Sequence, residues 1–510
     1  MIKLAEIFSD GAVLQRDMEI RVFGTADRPV TVTFDGNTVT VDSTDGKFCA
    51  ILPAHMAGTG YTISVTDGEN TVTVRDVSVG EVFIAAGQSN MEMPLAVTDG
   101  AEDELERCDN PNIHFYSIPQ QLVKGEYLDA FRFQYMDHSA PVWKKCTCDT
   151  AKDFSAIGYY VAKKLQRALG VPVGVIGCNW GARCIETFIP NWAMERHPQL
   201  QSTMEKYQQS HPEHTEEYYK ETYEQFKKLL AYHKTFCTYP PNVSFGCANF
   251  ASYYFHNAWS KCSSEMGECV AKGPYYGNRP GAIYHTMLED TVPYGVKFVL
   301  WYQGEDDTKG DYLGRYGVLV DAWREAFQNA DMPFYAMELA PFGRFRGVPC
   351  DRVWPQLRQE QRQATLQYKN CHLVTSAGLG DIMNIHPVYK RELAYRAARS
   401  VLHNTYGVGP KAENPYAVSA TFEKDCVRVD FANNERLTLL GGAVADLYIS
   451  ADGENFVFAN AKIENDQLVA WAEGVENPTE IRYCYTVYYA GENIFNAAAL
   501  PASPFRFVKE

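Results

Sequence analysis

The sequence predicts an α/β core between two β-rich flanking regions, and three observations carry that prediction. Strand-like alternation fills residues 1–80. Short apolar runs interleaved with helical patterns occupy 81–406, and alternation returns over 411–510.

In the first region, Ile20-Arg21-Val22-Phe23, Val30-Thr31-Val32-Thr33-Phe34 and Tyr61-Thr62-Ile63-Ser64-Val65 are rich in strand formers. Asp35-Gly36 and Asp67-Gly68 supply turn signals between them. The middle region holds three buried-strand candidates: Val82-Phe83-Ile84-Ala85-Ala86, Val171 to Ile176, and Val296 to Leu300. A helical stretch from Ala156 to Leu165 precedes the second, as a βαβ crossover requires. A parallel sheet flanked by helices follows. Glu205 to Tyr232 is polar and aromatic at helical spacing, which predicts a helical insertion around 198–280 packed over this domain, with tyrosines lining a substrate cleft as the alternative. Arg391 to His403 forms another amphipathic stretch, and Gly407-Val408-Gly409-Pro410 marks its end. Beyond it, Cys426 to Phe431, Leu447 to Ser450 and Ile481 to Tyr485 predict the strands of a C-terminal β-domain.

With 510 residues, the chain has room for about three domains, one of them a sizeable catalytic domain. Apolar residues make up 46%, as in a globular protein, and 32 Tyr with 8 Trp supply many amphipathic rings for cores or sugar-binding surfaces. The net charge of −16, without a Lys/Arg block, disfavours nucleic acid as a partner. No apolar run reaches the roughly 18 residues of a spanning helix, so no membrane insertion is expected. Met1-Ile2-Lys3-Leu4 enters mixed sequence without a signal peptide's apolar region. The expectation is a cytoplasmic protein or one whose leader has been removed. The 14 cysteines are scattered. Neither Cys146 with Cys148 nor Cys262 with Cys269 has the further partners of a zinc site. No metal and no organic cofactor are expected.

Gly87-Gln88-Ser89-Asn90 directly follows the first buried-strand candidate, and Met91-Glu92-Met93 can open a helix there. Such a turn exposes the Ser89 hydroxyl and points backbone N–H groups at a developing oxyanion, although a plain turn or helix cap has the same sequence. It is not a Gly-x-Ser-x-Gly elbow, because Met91 stands at the last glycine position. His386, in Ile385-His386-Pro387 with Asp381 nearby, is a candidate base. His285 is a rival whose helical context favours packing. Serine, histidine and oxyanion donors are the parts of an acyl-enzyme mechanism.

The ordered series Gly87-Gln88-Ser89-Asn90-Met91-Glu92, Gly177-Cys178-Asn179-Trp180-Gly181, Trp301-Tyr302-Gln303-Gly304-Glu305 and Ile385-His386-Pro387 resembles the sialate O-acetylesterases of the SGNH-hydrolase superfamily. Gly11 to Asp17 and Leu500 to Arg506 look like further landmarks, so the resemblance covers nearly the whole chain. It implies an SGNH-hydrolase-like parallel sheet, with Ser89 as nucleophile and His386 as its base. The N–H groups of Ser89 and Gly181 and the amide of Gln303 become the oxyanion hole. Relatives often carry aspartate two residues before the histidine. Here that position is Asn384, which leaves Asp381 or a bare Ser-His dyad to do the work.

Arg183, where relatives have a small residue, is a candidate for a sugar carboxylate, with Arg279, Arg344, Arg346 and Arg358 as competitors. Trp180, Tyr302 and Trp354 are candidates for an apolar wall, and Glu305 for contact with His386 or for fixing its own loop. The implied partner is an O-acetylated sialic acid, at an exocyclic position such as the 9-O-acetyl, or another acetylated glycan such as xylan. Export to the periplasm or beyond the cell is implied by the same resemblance. A noncatalytic glycan-binding protein is the alternative from another class. A glycosidase lacks an evident carboxylate pair.

Overall fold

A single 17-residue strand, Thr71–Gly87, belongs to two arrangements at once and runs through the position at which the sequence pattern changes. The computed structural model describes residues 1–121, 141–215, 217–218, 220–221, 277–307, 310–345, 348–349, 353–441 and 444–509. Most of the expected helical insertion (222–276) thus lies outside the described residues, as do Cys262, Cys269 and Arg346. The helix Thr203–Ser210 belongs to its described part. The chain divides into two compact units: Met1–Leu300 with Arg315–Met332, and Trp301–Gly314 with Pro333–Glu510.

In the first unit, Val30–Phe34 pairs antiparallel with Asn37–Val41 and with Gly58–Thr66. Val30, Val32 and Phe34 are buried while Thr31 and Thr33 alternate outward, the period-2 pattern of a strand with one face on a core. Asp35 and Gly36 both have positive φ, as a tight hairpin turn with a right-handed strand twist demands. Gly58–Thr66 pairs antiparallel with Thr71–Gly87. The later half of that long strand pairs in parallel with Val173–Asn179, which pairs in parallel with Asn110–Ser117 on its other side. Lys144–Cys146 closes this edge antiparallel. The sheet is therefore mixed.

The helix Ala156–Leu169 makes the right kind of crossover into Val173–Asn179. The Ser155 hydroxyl caps its start by accepting from the Gly158 N–H at 3.2 Å, and Gly170 ends it in a left-handed conformation. Register is pinned where the parallel pair begins. The Glu81 N–H donates to the Pro172 carbonyl at 2.8 Å, and a side chain on Gly80 would stand 1.9 Å from that oxygen. The Gln15 side chain reinforces this point: its amide donates to Glu81 at 2.9 Å and its oxygen accepts from the Val82 N–H at 2.8 Å. Phe83 stacks on Phe298 with centroids 4.8 Å apart inside the same unit.

In the second unit, Phe334–Met337 and Cys371–Val374 form a parallel pair, and the helix Val353–Gln367 lies between them in sequence. The helix Lys390–Tyr406 follows and ends at left-handed Gly407. Two four-stranded antiparallel sheets complete the unit. One is ordered Tyr416–Phe422, Val427–Ala432, Gln467–Trp471, Asn460–Glu464, and the other Val457–Phe458, Leu447–Ser450, Glu480–Tyr483, Phe505–Val508. Val427, Val429, Leu447, Ile449, Leu468, Ile481, Tyr483 and Phe505 join in one core, the sandwich solution for two half-apolar sheets. Each described cysteine is a free thiol. No helix among the described residues is long and apolar enough to cross a membrane.

Gly80→Ala places a methyl group against the Pro172 backbone, and the expected cost is about 3 kcal/mol of stability. Urea denaturation checks it, and a variant as stable as the parent contradicts the pinned register.

Candidate active site

The parallel register pairs Gly87 with Asn179 at the carboxyl ends of two neighbouring strands. Ligand sites of α/β sheets form beyond such ends. Gly87 has φ 140°, a conformation other residues avoid. Gln88 stays extended, and Ser89–Glu92 form a single helical turn. The Gln88 carbonyl accepts from the Met91 and Glu92 N–H groups at 2.8 and 2.9 Å. Pro94 follows immediately and stops any longer helix. Opposite, the Trp180 N–H donates to the Gly87 carbonyl at 3.0 Å, extending the ladder by one residue.

Gly181 then lies directly against the serine: a Cβ there would stand 3.2 Å from Ser89 Cβ. Its N–H donates to Glu92 Oε2 at 2.6 Å. Glu92 Oε1 accepts from Gln120 Nε2 at 2.9 Å, and the same Nε2 reaches the Asn179 carbonyl at 3.2 Å. Glu92 is 3% exposed. An ionised carboxylate, which only accepts, satisfies two converging donors in such a place. The structure thus brings Ser89, Gly181 and Glu92 together. Gln120 is a participant that the sequence does not mark, and Glu92, in the segment expected to open a helix, is the acceptor that joins it to Gly181. Nearby in the same unit, the Arg183 guanidinium stacks over the buried Trp180 ring, 4.4 Å from its centroid, and donates to the Ala182 carbonyl at 2.9 Å.

The second unit carries the remaining candidates. Gln303 is fully buried, and its amide donates to the Asp307 carboxylate. Its carbonyl accepts from the Tyr312 hydroxyl at 3.2 Å and the Gln361 amide at 3.3 Å. Gly304 has φ 146°, and a side chain there would collide with Leu357 at 2.8 Å. The His386 loop is organised by its own polar side chains. Asp381 Oδ1 accepts from the Met383 and Asn384 N–H groups at 2.7 and 2.9 Å, and Asn384 Oδ1 accepts from the His386 N–H at 2.9 Å. At least one oxygen of Asp381 therefore shapes the loop backbone.

Lys390, 1% exposed, is the residue here that the sequence did not mark. Its ammonium donates to the Pro387 carbonyl at 2.8 Å and lies 5.4 Å from the Tyr302 ring centroid. Burial pushes this lysine down to about 7, against the pull of the Glu305 carboxylate. Burial, helped by the Lys390 charge, likewise lowers His386 to about 4. The imidazole is consequently neutral and able to accept a proton at neutral pH.

Three residues expected to contact substrate are instead buried. Arg358 is fully buried. Its guanidinium donates to the carbonyls of Leu339, Ala340, Thr486 and Val487 at 2.7–3.1 Å, which leaves it no role as a substrate arginine. Tyr302 is also fully buried, with its ring facing Lys390, and cannot wall a sugar. Trp354 likewise packs inward, donating to the Ala340 carbonyl at 3.0 Å. The rival histidine, His285, accepts from the Asn191 N–H at 3.1 Å and contacts Glu289 through Nδ1 at 3.1 Å. Both of its ring nitrogens serve local structure. Among the described residues no group of three or more His, Cys, Asp or Glu could hold a metal ion.

Residues 264–402 match the family model for carbohydrate esterases described as sialic acid-specific acetylesterases. Mouse sialate O-acetylesterase is 22% identical over 364 residues, 65% of this chain and 58% of that protein. The rat sialate O-acetylesterase is 21% identical over 443 residues, 79% of this chain and 73% of the rat protein. The crystal structure of a carbohydrate acetylesterase from Xanthomonas citri covers 99% of both chains with a TM-score of 0.76 and 25% identity. A mixed sheet with helices, similar along its length to a carbohydrate acetylesterase, defines the class. Within that class, the chain resembles the sialate O-acetylesterases.

Replacing Glu92 by Gln leaves one acceptor for two converging donors. The expected loss is about 1–3 kcal/mol of stability, measured by denaturation. Unchanged stability contradicts the clamp. For His386, the unfolded imidazole takes its proton near the ordinary 6.5 and the folded one near 4, so stability falls as pH drops through that window. NMR titration is expected to place His386 near pH 4 and to move it upward in Lys390→Met, which removes one lowering charge. An unmoved titration contradicts the coupling.

Proposed function

We propose that the protein is a serine carbohydrate O-acetylesterase with an SGNH-type parallel core, acting on O-acetylated sialic acid. The observation that carries this reading is Gly181 packed against Ser89 at the ends of paired parallel strands, with the Gly181 N–H already accepted by a carboxylate oxygen. A donor that holds an anionic oxygen beside a serine hydroxyl suits an oxyanion.

In the proposed reaction Ser89 Oγ attacks the acetyl carbonyl while its proton passes to His386. The tetrahedral oxyanion draws on the N–H groups of Ser89 and Gly181 and the Gln303 amide. This requires Glu92 and Asp307 to yield those donors. Collapse breaks the bond to the sugar oxygen, which leaves with the proton from His386. Water then attacks the acetyl-serine, giving its proton to His386, and acetate departs as the proton returns to Ser89. The neutral state of His386 supports its role as base. Asp381 or Glu305 would stabilise the imidazolium, and a dyad is the reading without either.

Arg183 would meet the sugar carboxylate, with Trp180 beneath it, and this separates a sialic acid substrate from xylan. The sialic acid-specific family that matches and the two rodent sialate O-acetylesterases support the sialate reading. The Xanthomonas protein's broader description keeps another acetylated carbohydrate as the second reading. A periplasmic or secreted location is proposed from the family resemblance alone. The three-part division at residues 80 and 411 is proposed as the catalytic core with its two accessory β-regions.

Ser89→Ala is expected to lower acetate release from 9-O-acetyl sialic acid at least about 1,000-fold without unfolding the protein. Proton NMR of free acetate, with acetylated xylan in parallel, reads this directly. Activity surviving in the folded variant removes Ser89 from the mechanism, and preferential xylan deacetylation transfers the substrate assignment.

A further inference from the structure

One cross-strand row on the C-terminal sheet runs Phe458, Tyr448, Arg482, Arg506, each residue registered opposite the next. Their neighbours Leu447, Ile449, Ile481, Tyr483 and Phe505 enter the core, so strand alternation turns this row outward. Tyr448 is 37% and Phe458 53% exposed, and their rings meet edge-to-face at 5.6 Å. Arg482 and Arg506 each bring Nε to 2.6 Å from the same Oε1 of Glu480, which is itself buried. Two guanidinium charges therefore share one carboxylate. Within this trio the surplus is one positive charge, in a chain whose net charge is −16. Arg506 also uses Nη2 on Glu480, at 3.2 Å. The terminal amines of Arg482 have no acceptor among the described residues, and its guanidinium stacks 3.8 Å from the Phe456 ring centroid.

We propose that this face binds a carboxylated glycan, with the Arg482 fork taking a sugar carboxylate and the Tyr448 and Phe458 rings taking the apolar faces of adjoining sugars. The three features fit that ligand and disfavour others. Bidentate donors in a planar fork match a carboxylate. Exposed aromatic rings match the C–H faces of a pyranose and give nothing to a small inorganic anion. The row spans three strand spacings, about 14 Å, which suits a chain of sugars more than one ring. Charge sets the choice among glycans: a neutral chain has no use for the Arg482 fork, and an acidic chain meets its positive surplus here. The proposal does not depend on the ester chemistry.

The test titrates the full chain with polysialic acid carrying no acetyl groups, by isothermal calorimetry, against unsubstituted neutral xylan. Because the polymer holds no ester, failure here leaves the esterase reading untouched. The expected result is binding of polysialic acid that weakens with added salt, falls at least tenfold in Arg482→Gln and in Tyr448→Ala, and is absent for xylan. Thermal melting and turnover of 4-nitrophenyl acetate should match the parent in both variants, showing that the loss belongs to this face. No binding, undiminished binding in both variants, or equal binding of xylan overturns the proposal. So does a concentration-dependent dimer lost in Tyr448→Ala, because a second copy would then cover the face.

Discussion

The parallel pairing of Thr71–Gly87 with Val173–Asn179 is the constraint on which the surroundings of Ser89 depend. Both strands end at the same level, so the residues that follow, Gln88-Ser89 on one and Trp180-Gly181 on the other, must face each other. The pairing is fixed at its far end by the Gly80–Pro172 approach and at its near end by the Trp180 N–H bond to Gly87. A slip of one residue would bring a larger residue, Trp180 or Ala182, to this approach, where even a Cβ would stand a tight 3.2 Å from Ser89 Cβ. Glycine at 181 thus keeps the approach unstrained.

Buried charge is handled differently in the two units. Around Ser89 the carboxylate of Glu92 accepts from a backbone N–H and a side-chain amide, a satisfied arrangement that fixes the turn. Around His386 the buried charge is positive: the Lys390 ammonium rests on the Pro387 carbonyl and the Tyr302 face. A neighbouring cation disfavours imidazolium, whereas the usual acidic partner of a catalytic histidine favours it. The Glu305 carboxylate pulls Lys390 the other way, toward its charged form.

The strands, the crossover helix and the Ser89 turn were legible because each shows a local signal: an apolar run, a 3.6 period, a glycine at positive φ. Gly181 and His386 carry no such local signal and stand out only through an ordered set of short motifs. Lys390 was not legible, because a lysine in the first turn of an amphipathic helix reads as a solvent-facing residue, and only the packing shows it buried. Gln120 escaped because its partner Glu92 is 28 residues away. Arg358 misled for the converse reason. Its four carbonyl acceptors come from segments around 339 and 486, and no local pattern announces that a guanidinium is already satisfied. The continuity of Thr71–Gly87 across the apparent domain change was equally hidden, since a long strand can change neighbours without changing its own pattern.

The central claim is that Ser89 carries the acyl group. It is tested most directly by acid-quenching the protein during turnover of an activated acetyl ester and locating the acetyl group by peptide mass spectrometry. One acetyl group per chain is expected, on the peptide containing Ser89 and on its hydroxyl. An acetyl group on another side chain during productive turnover, or turnover with full recovery of acetate and no labelled Ser89 at any quench time, would contradict it.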